Sequence, residues 1–249
     1  MGIKPVHRKI GILFSGGPAP SANTVISATT LNFLDNNIPV VGLFRGYEFI
    51  QDFNKNYPKL RKGVHYEELS YEITQVRNER GIYLRTSRAN PGRNIKTIED
   101  LSDPEKNGML RNIIDAFEYL KVGALISIGG DDTLKTANFL HKMGFPVIHI
   151  PKTIDNDYYG IPWTFGYWTA VNTAQTIMLN LKADAQATDS FFIVELMGRK
   201  AGWITYAVGI AAEAIMMIAL EDIEDEELDL DGLAEKIADT IIARENNRR

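Results

Sequence analysis

Two short polar segments of this chain contain the residue types that phosphate chemistry requires. GGDDT places Asp131 and Asp132 directly after a glycine pair, and PKTIDND contributes Lys152 and Asp155. Carboxylate oxygens are ligands that Mg²⁺ prefers, and a lysine neutralises the charge of a phosphoryl group. Together the segments predict magnesium-assisted phosphoryl chemistry.

Each segment directly follows an apolar, β-branched run, at 124–128 and 146–150. The carboxyl ends of parallel strands meet at one edge of a sheet, where open α/β sheets bind ligands. We therefore expect both segments at the same edge. Two alternatives stay open. Asp132 could have no other role than to cap a helix that begins near Thr133, and Asn156-Asp157 could be a polar loop held by Asx turns.

A third segment, SGGPAPSAN, joins the first predicted strand to the first predicted helix. Gly16 and Gly17 allow backbone N–H groups to approach a phosphate, and the following helix N-terminus favours anions. A tight turn with a Ser or Asn helix cap would have the same composition. The loop alone does not decide between the two interpretations.

Strand-like and helical patterns alternate along most of the chain, which predicts βαβ units with a parallel sheet between helices. Strands are predicted at 9–14, 38–44, 124–128, 147–150, 191–197 and 215–220, and helices at 22–34, 110–120, 134–143, 167–181, 202–212 and from about 230. Residues 55–108 are polar and turn-rich and predict an excursion that carries binding groups. The fold class is α/β, with a Rossmann-like parallel sheet sandwiched by helices and a second, incomplete α/β domain.

Composition narrows the classes of function. The chain has 249 residues and no cysteine, which excludes disulfides, thiolate metal sites and a cysteine nucleophile. It contains neither a membrane-length apolar stretch nor a signal peptide, and we expect a cytoplasmic protein without a membrane partner. Eight of the 32 acidic residues crowd into 221–231, leaving 24 against 27 basic ones. This balance suits a small polyanion better than a nucleic acid.

FSGGPAPSAN, GGDDT, PKTIDND and MGRKAGW occur in this order, and together they resemble the phosphofructokinases, particularly the pyrophosphate-dependent branch. The resemblance implies transfer of a phosphoryl group to the 1-hydroxyl of fructose 6-phosphate, giving fructose 1,6-bisphosphate in glycolysis. It also implies Mg²⁺ as cofactor and a homo-oligomer, a dimer or tetramer. The domains implied are a phosphoryl-donor-binding domain over 1–166 and part of a sugar-phosphate-binding domain over 167–249.

The resemblance also assigns roles to single residues. It implies that Asp155 is the base and that Asp131 serves Mg²⁺, with Thr153 and Asp157 supporting the catalytic loop. The remaining implied site residues bind substrates: Gly16, Gly17, Tyr47, Arg88, Gly130 and Asp132 on the donor side, and Met197, Gly198 and Arg199 on the sugar-phosphate side, together with Thr153 and Asp155.

Two residues depart from the pattern of ATP-dependent relatives, which have glycine at the positions of Asp132 and Lys152. A carboxylate at 132 would occupy the space of the α-phosphate of ATP, and Lys152 would hold a phosphate leaving group that lacks a nucleotide. Both departures favour pyrophosphate as the donor.

Related enzymes continue past the position of Arg249 with further residues for the acceptor, so we expect a truncated chain. Three alternatives to a pyrophosphate-dependent phosphofructokinase stay open. They are a non-catalytic phosphate-binding fragment, an ATP-dependent 6-phosphofructokinase, or another kinase with a GGDxT loop, such as an NAD or lipid kinase.

Overall fold

The structure is a computed structural model, and it describes residues 9–223 and 229–247. It divides into two compact units, one that ends at Thr153 and one that begins at Ile154. The predicted functional domains, a donor-binding domain over 1–166 and part of a sugar-phosphate-binding domain over 167–249, stay predictions. Residues 1 and 249, their outer bounds, lie outside the described residues.

The first unit is built on a sheet of five strands: β1 (Lys9–Ser15), β2 (Val40–Leu43), β3 (Tyr66–Leu69), β4 (Val122–Gly129) and β5 (Val147–Pro151). Their order across the sheet is β3-β2-β1-β4-β5. The strands β2, β1, β4 and β5 run parallel, in register from Ile10 opposite Val40 to Gly129 opposite Pro151. The predicted α/β class and the first four predicted strands are confirmed.

Strand β3 was not predicted, and it runs antiparallel to β2. It lies in the polar excursion, where Glu67 and Glu68 interrupt any apolar run. Its place at the edge of the sheet explains this composition, because an edge strand tolerates charged residues. Lys9 of β1 also contacts it, with Nζ 2.5 Å from a carboxylate oxygen of Glu68. The sheet is therefore mixed rather than wholly parallel.

Three helices flank this sheet: α1 (Ala22–Asp35), α2 (Pro104–Leu120) and α3 (Asp131–Lys142). Helix α2 begins earlier than the predicted start at 110, so the last residues of the turn-rich excursion, 104–108, lie inside it. The cause is the start signal at Asp103-Pro104: the Asp103 carboxylate accepts a hydrogen bond from the Glu105 N–H at 2.9 Å. Proline at the first helical position has no N–H to satisfy and its fixed φ suits a helix.

The core of the first unit lies between the sheet and helices α2 and α3. Fully buried side chains from both layers meet there, including Leu13 of β1, Leu125 of β4, Phe117 of α2 and Leu140 of α3. The chain runs from β1 outward to β2 and later returns to the other side of β1 as β4. Between β1 and β4 the strand order therefore reverses, and at such a point the loops diverge and leave a crevice for ligands.

The second unit contains the helices α4 (Tyr167–Thr188), α5 (Trp203–Ala211) and α6 (Leu230–Asn247). Helices α4 and α5 pack through a small core of Tyr167, Val171, Ile204 and Val208. The start of α6 is as predicted. No helix in the described ranges is both long and apolar enough to span a membrane.

The strands predicted at 191–197 and 215–220 are wrong for the structure as described, because neither segment pairs with another there. Their apolar composition is typical of buried strands, yet Ile193 is 86% exposed. A strand forms only when a neighbour accepts its backbone hydrogen bonds, and composition does not supply that neighbour.

Candidate active site

The crevice between β1 and β4 is lined by the glycine loop that follows β1. Gly16 has a φ of +89°, which a residue with a side chain rarely adopts. A Cβ atom at this position would lie 3.7 Å from the Gly130 nitrogen, 3.8 Å from Lys152 Nζ and 3.9 Å from Thr133 Oγ1. Three nitrogen or hydroxyl groups, two from GGDDT and one from PKTIDND, thus converge on the open face of Gly16, as an anion would require.

Lys152 connects the end of β5 to this loop. Its side chain is buried, with 6% exposed, and Nζ donates a hydrogen bond to the Gly17 carbonyl at 2.6 Å. Nζ also lies 5.7 Å from the centroid of the Phe14 ring, within the range of a cation–π contact. The structure therefore brings together Gly16, Gly17, Gly130 and Lys152, four of the predicted site residues.

Asp131 and Asp132 form the first turn of α3, whose N-cap is Gly130, and both are exposed. Neither caps the helix by its side chain, so the capping alternative for Asp132 is wrong: the helix begins two residues before Thr133. The described residues contain no group of three or more His, Cys, Asp or Glu side chains that could hold a metal by themselves. Mg²⁺ commonly binds through one or two carboxylates plus substrate phosphates, and this exposed pair fits that arrangement.

Thr133 was not singled out from the sequence, yet it shapes the crevice. It is buried in the first turn of α3, and a Cβ on Gly129 would lie 2.5 Å from its Oγ1. That Cβ would also lie 2.7 Å from the Ser15 carbonyl oxygen. Glycine at 129 therefore allows β4, β1 and α3 to approach closely, and the fifth letter of GGDDT was the available signal.

The excursion reaches the glycine loop through residues 86 and 87. The Gly16 N–H donates to the Ser87 carbonyl at 2.8 Å, and Thr86 Oγ1 donates to the Gly16 carbonyl at 2.6 Å. The next residue, Arg88, is exposed. The backbone that carries Arg88 is thus hydrogen-bonded directly to the glycine loop, and the predicted binding role of the excursion stays a prediction. No local pattern in the sequence indicates these two hydrogen bonds.

Tyr47, Ser127 and His149 form a hydrogen-bonded chain of side chains behind the crevice. Tyr47 is fully buried, and its hydroxyl lies 3.2 Å from Ser127 Oγ. Ser127 Oγ in turn lies 3.4 Å from His149 Nδ1. Burial lowers the pKa of His149 to about 4, against a smaller opposing effect of the Gly129 backbone, and burial also raises the pKa of Tyr47. Any effect of Tyr47 on a donor must therefore be indirect.

The other predicted site residues belong to the loop after β5 or to the second unit. Thr153 is the last residue of the first unit, and Asp155 and Asp157 flank the buried Asn156 in the second. Met197, Gly198 and Arg199 are exposed and precede α5. A Cβ on Gly198 would lie 2.6 Å from the Ala201 carbonyl oxygen, so this turn requires glycine.

Residues 9–249 match the family described as phosphofructokinase. The chain belongs to the phosphofructokinase family. The pyrophosphate–fructose 6-phosphate 1-phosphotransferase of Thermotoga maritima is 34% identical over 224 residues, which cover 87% of this chain and 48% of the relative. The ATP-dependent 6-phosphofructokinase of Buchnera aphidicola is 34% identical over 221 residues, covering 89% of this chain and 62% of that protein. Relatives that use either donor are thus equally similar.

Solved phosphofructokinases share the fold. The Pichia pastoris enzyme in the T-state superposes with a TM-score of 0.75 at 20% identity, covering 99% of this chain and 24% of that one. The pyrophosphate-dependent enzyme of Nitrosospira multiformis gives 0.64 at 18% identity, covering 83% of this chain and 50% of its own. This phosphofructokinase chain spans about half the length of the pyrophosphate-dependent relatives that it matches.

Proposed function

We propose that this chain takes part in phosphoryl transfer from pyrophosphate to the 1-hydroxyl of fructose 6-phosphate, giving fructose 1,6-bisphosphate. The observation that carries the proposal is the buried Lys152 amine, which reaches the Gly16–Gly17 loop at the point where the strand order reverses. A buried cation, a glycine loop and a helix N-terminus at such a crevice favour a small polyanion.

The chemistry follows from charge. In phosphoryl transfer the transferring group needs positioning and neutralisation more than covalent help. Lys152 and the backbone around Gly16 would hold the donor phosphates, and Arg88 would add a cation from the excursion. Asp155 would accept the proton of the sugar hydroxyl as the new bond forms, with Thr153 and Asp157 supporting its loop. Met197, Gly198 and Arg199 would contact the sugar phosphate.

Magnesium fits the exposed carboxylates at the start of α3. Asp131 would hold Mg²⁺ that arrives with the diphosphate, since the described residues offer no larger set of ligands. When bound, the ion would neutralise charge on the phosphates.

The choice of donor rests on Asp132 and Lys152, because relatives of both kinds are equally similar to this chain. Asp132 is exposed at the N-terminus of α3, beside Gly130 of the crevice. A carboxylate there would repel the α-phosphate of ATP, whereas pyrophosphate has no third phosphate to meet it. Lys152 would neutralise the leaving phosphate.

A non-catalytic phosphate-binding fragment is the second candidate; the chain spans about half the length of the pyrophosphate-dependent relatives that it matches. Isothermal titration with Mg²⁺ present, together with a coupled assay for fructose 1,6-bisphosphate, separates the candidates. We expect pyrophosphate to bind more tightly than ATP, and the reverse order would refute the donor assignment. Binding without turnover would support the fragment.

Replacement of the base gives the sharpest test of the reaction. Asp155→Asn should lower turnover by about 10²- to 10⁴-fold, the usual contribution of a general base, with little change in pyrophosphate affinity. Asp157→Asn is the matched control, since it removes a neighbouring carboxylate, and it should cost much less. If Asp157→Asn abolished turnover and Asp155→Asn did not, the two roles would be reversed.

Light scattering on the same samples tests the predicted dimer or tetramer.

A further inference from the structure

Asn156 lies between the two carboxylates of the PKTIDND loop and has an unusual backbone conformation. Its φ is +54°, in the left-handed region that residues with a side chain seldom occupy. Asparagine tolerates this region better than most residues, but the conformation persists only where the surroundings hold it. Asn156 is also buried, with only 7% exposed, although asparagine is usually found at the surface.

The Asn156 amide makes three hydrogen bonds, all to one short stretch of chain. Nδ2 donates to the Pro162 carbonyl at 3.0 Å, while Oδ1 accepts from the Thr164 N–H at 2.9 Å and from the Thr164 hydroxyl at 3.3 Å. Thr164 is itself 3% exposed. A single side chain therefore closes the loop from 156 to 164, and both ends of its amide are used in doing so.

The conformation of Asn156 affects its two neighbours in the chain, Asp155 and Asp157. A left-handed residue sets the direction in which the chain enters and leaves the turn, so it fixes where the side chains of Asp155 and Asp157 project. If the hydrogen bonds of the Asn156 side-chain amide are removed, the turn can relax toward the commoner right-handed conformations, and both carboxylates move with it.

We propose that Asn156 is a positioning residue, which holds the carboxylates of Asp155 and Asp157 in place by fixing the turn between them. This inference rests on the proposed function for the part that Asp155 plays in phosphoryl transfer. A displacement of about 1 Å in a reacting group can cost about 100-fold in rate. Loss of the amide should therefore lower kcat and leave the binding of pyrophosphate nearly unchanged.

Asn156→Gly is the informative variant, because glycine keeps the left-handed conformation accessible and removes only the amide. The matched control is Asn37→Gly. Asn37 is exposed and also left-handed, with a φ of +58°, but it lies in the turn after α1. We expect kcat to fall about 10-fold or more in Asn156→Gly, with the KM for pyrophosphate within about three-fold of the parent. The control should keep the kcat of the parent.

Carboxyl NMR of aspartate-labelled protein provides a readout that does not depend on turnover. In Asn156→Gly the resonances of Asp155 and Asp157 should shift or broaden, while those of Asp131 and Asp132 in the first unit should stay. Unchanged resonances of Asp155 and Asp157 would overturn the positioning role even if the enzyme is active. A parent without turnover would instead refute the proposed function, and the NMR result would still decide the role of Asn156.

The parent protein alone offers a second measurement, should the variant fail to fold. The Thr164 amide proton, bonded to Asn156 Oδ1, should exchange with solvent much more slowly than an open loop amide. If the Thr164 amide proton exchanged as fast as in an unstructured peptide, the Asn156 side chain would not close the loop, and the inference would be refuted.

Discussion

The partly buried imidazole of His149 should make the stability of this chain depend on pH. Burial lowers the pKa of His149 from its usual 6.5 to about 4, while its Nδ1 lies 3.4 Å from Ser127 Oγ. Because the folded pKa is below the unfolded one, the unfolded chain binds a proton more readily between these values. The contribution of His149 to stability is therefore complete above pH 6.5 and is lost as the pH falls toward 4.

The size of the effect follows from the two pKa values. At pH 5 the medium lies about 1.5 units below the unfolded pKa and still above the folded one. At about 1.4 kcal/mol per unit, protonation of His149 in the unfolded chain costs about 2 kcal/mol of folding free energy. Small domains are stable by only about 5–15 kcal/mol, so this loss is readily measured.

Urea unfolding of the parent and of His149→Gln at pH 7.5 and pH 5 isolates this residue. Glutamine stays neutral, and all other titrating groups are common to both proteins. The parent should lose about 2 kcal/mol more than the variant between the two pH values. An equal loss in both proteins would refute the reasoning, as would an imidazole that titrates near 6.5 in an NMR experiment on the folded parent.

Two further predictions concern the crevice itself. Gly129→Ala should destabilise the fold by about 1–3 kcal/mol in urea unfolding, because the new Cβ would lie 2.5 Å from Thr133 Oγ1. Gly108→Ala is its control, because this glycine lies inside α2 with nothing within 4 Å of the new Cβ. The free energy of unfolding should rise by about 0.5–1 kcal/mol in this control. An equal loss of stability at both sites would contradict the close approach at 129. Replacing Asp132 and Lys152 together by glycine should shift binding toward ATP in isothermal titration, and the two single changes should not add up, because both act on the same phosphates. Unaltered preference in the double variant would remove both residues from the choice of donor.

Much of the first unit could be predicted from local sequence. The apolar, β-branched runs before SGG, GGDDT and PKTIDND gave three of the five strands, and the run at 38–44 gave a fourth. The helices α1, α3 and α4 begin within three residues of the expected positions. The same reasoning failed at 191–197, where an equally apolar run remains unpaired in the structure as described. It also missed β3, since strand pairing depends on a neighbour that composition does not reveal.

For the site, residue types were more predictable than residue contacts. GGDDT and PKTIDND marked Asp131, Asp132 and Lys152 because glycine, carboxylate and amine have few roles together at a strand end. The left-handed turn at Asn156 was not predicted, because an Asn-Asp pair in a loop is compatible with several turn types. The burial of Tyr47 was missed for a different reason: its hydroxyl is satisfied by Ser127, 80 residues away in the chain.

Within the first unit, the sequence by itself determined most of the strands and helices and which residue types stand at their ends, because hydrophobic period and helix start signals act over a few neighbouring residues. The tertiary structure alone decided that β4 lies beside β1, and so which of these ends face one another. Lys152 Nζ reaches the Gly17 carbonyl across 135 residues of chain, and that contact exists only because the sheet orders its strands 2-1-4-5. The order of the strands depends on how whole layers pack, a property of the entire core that no local pattern contains.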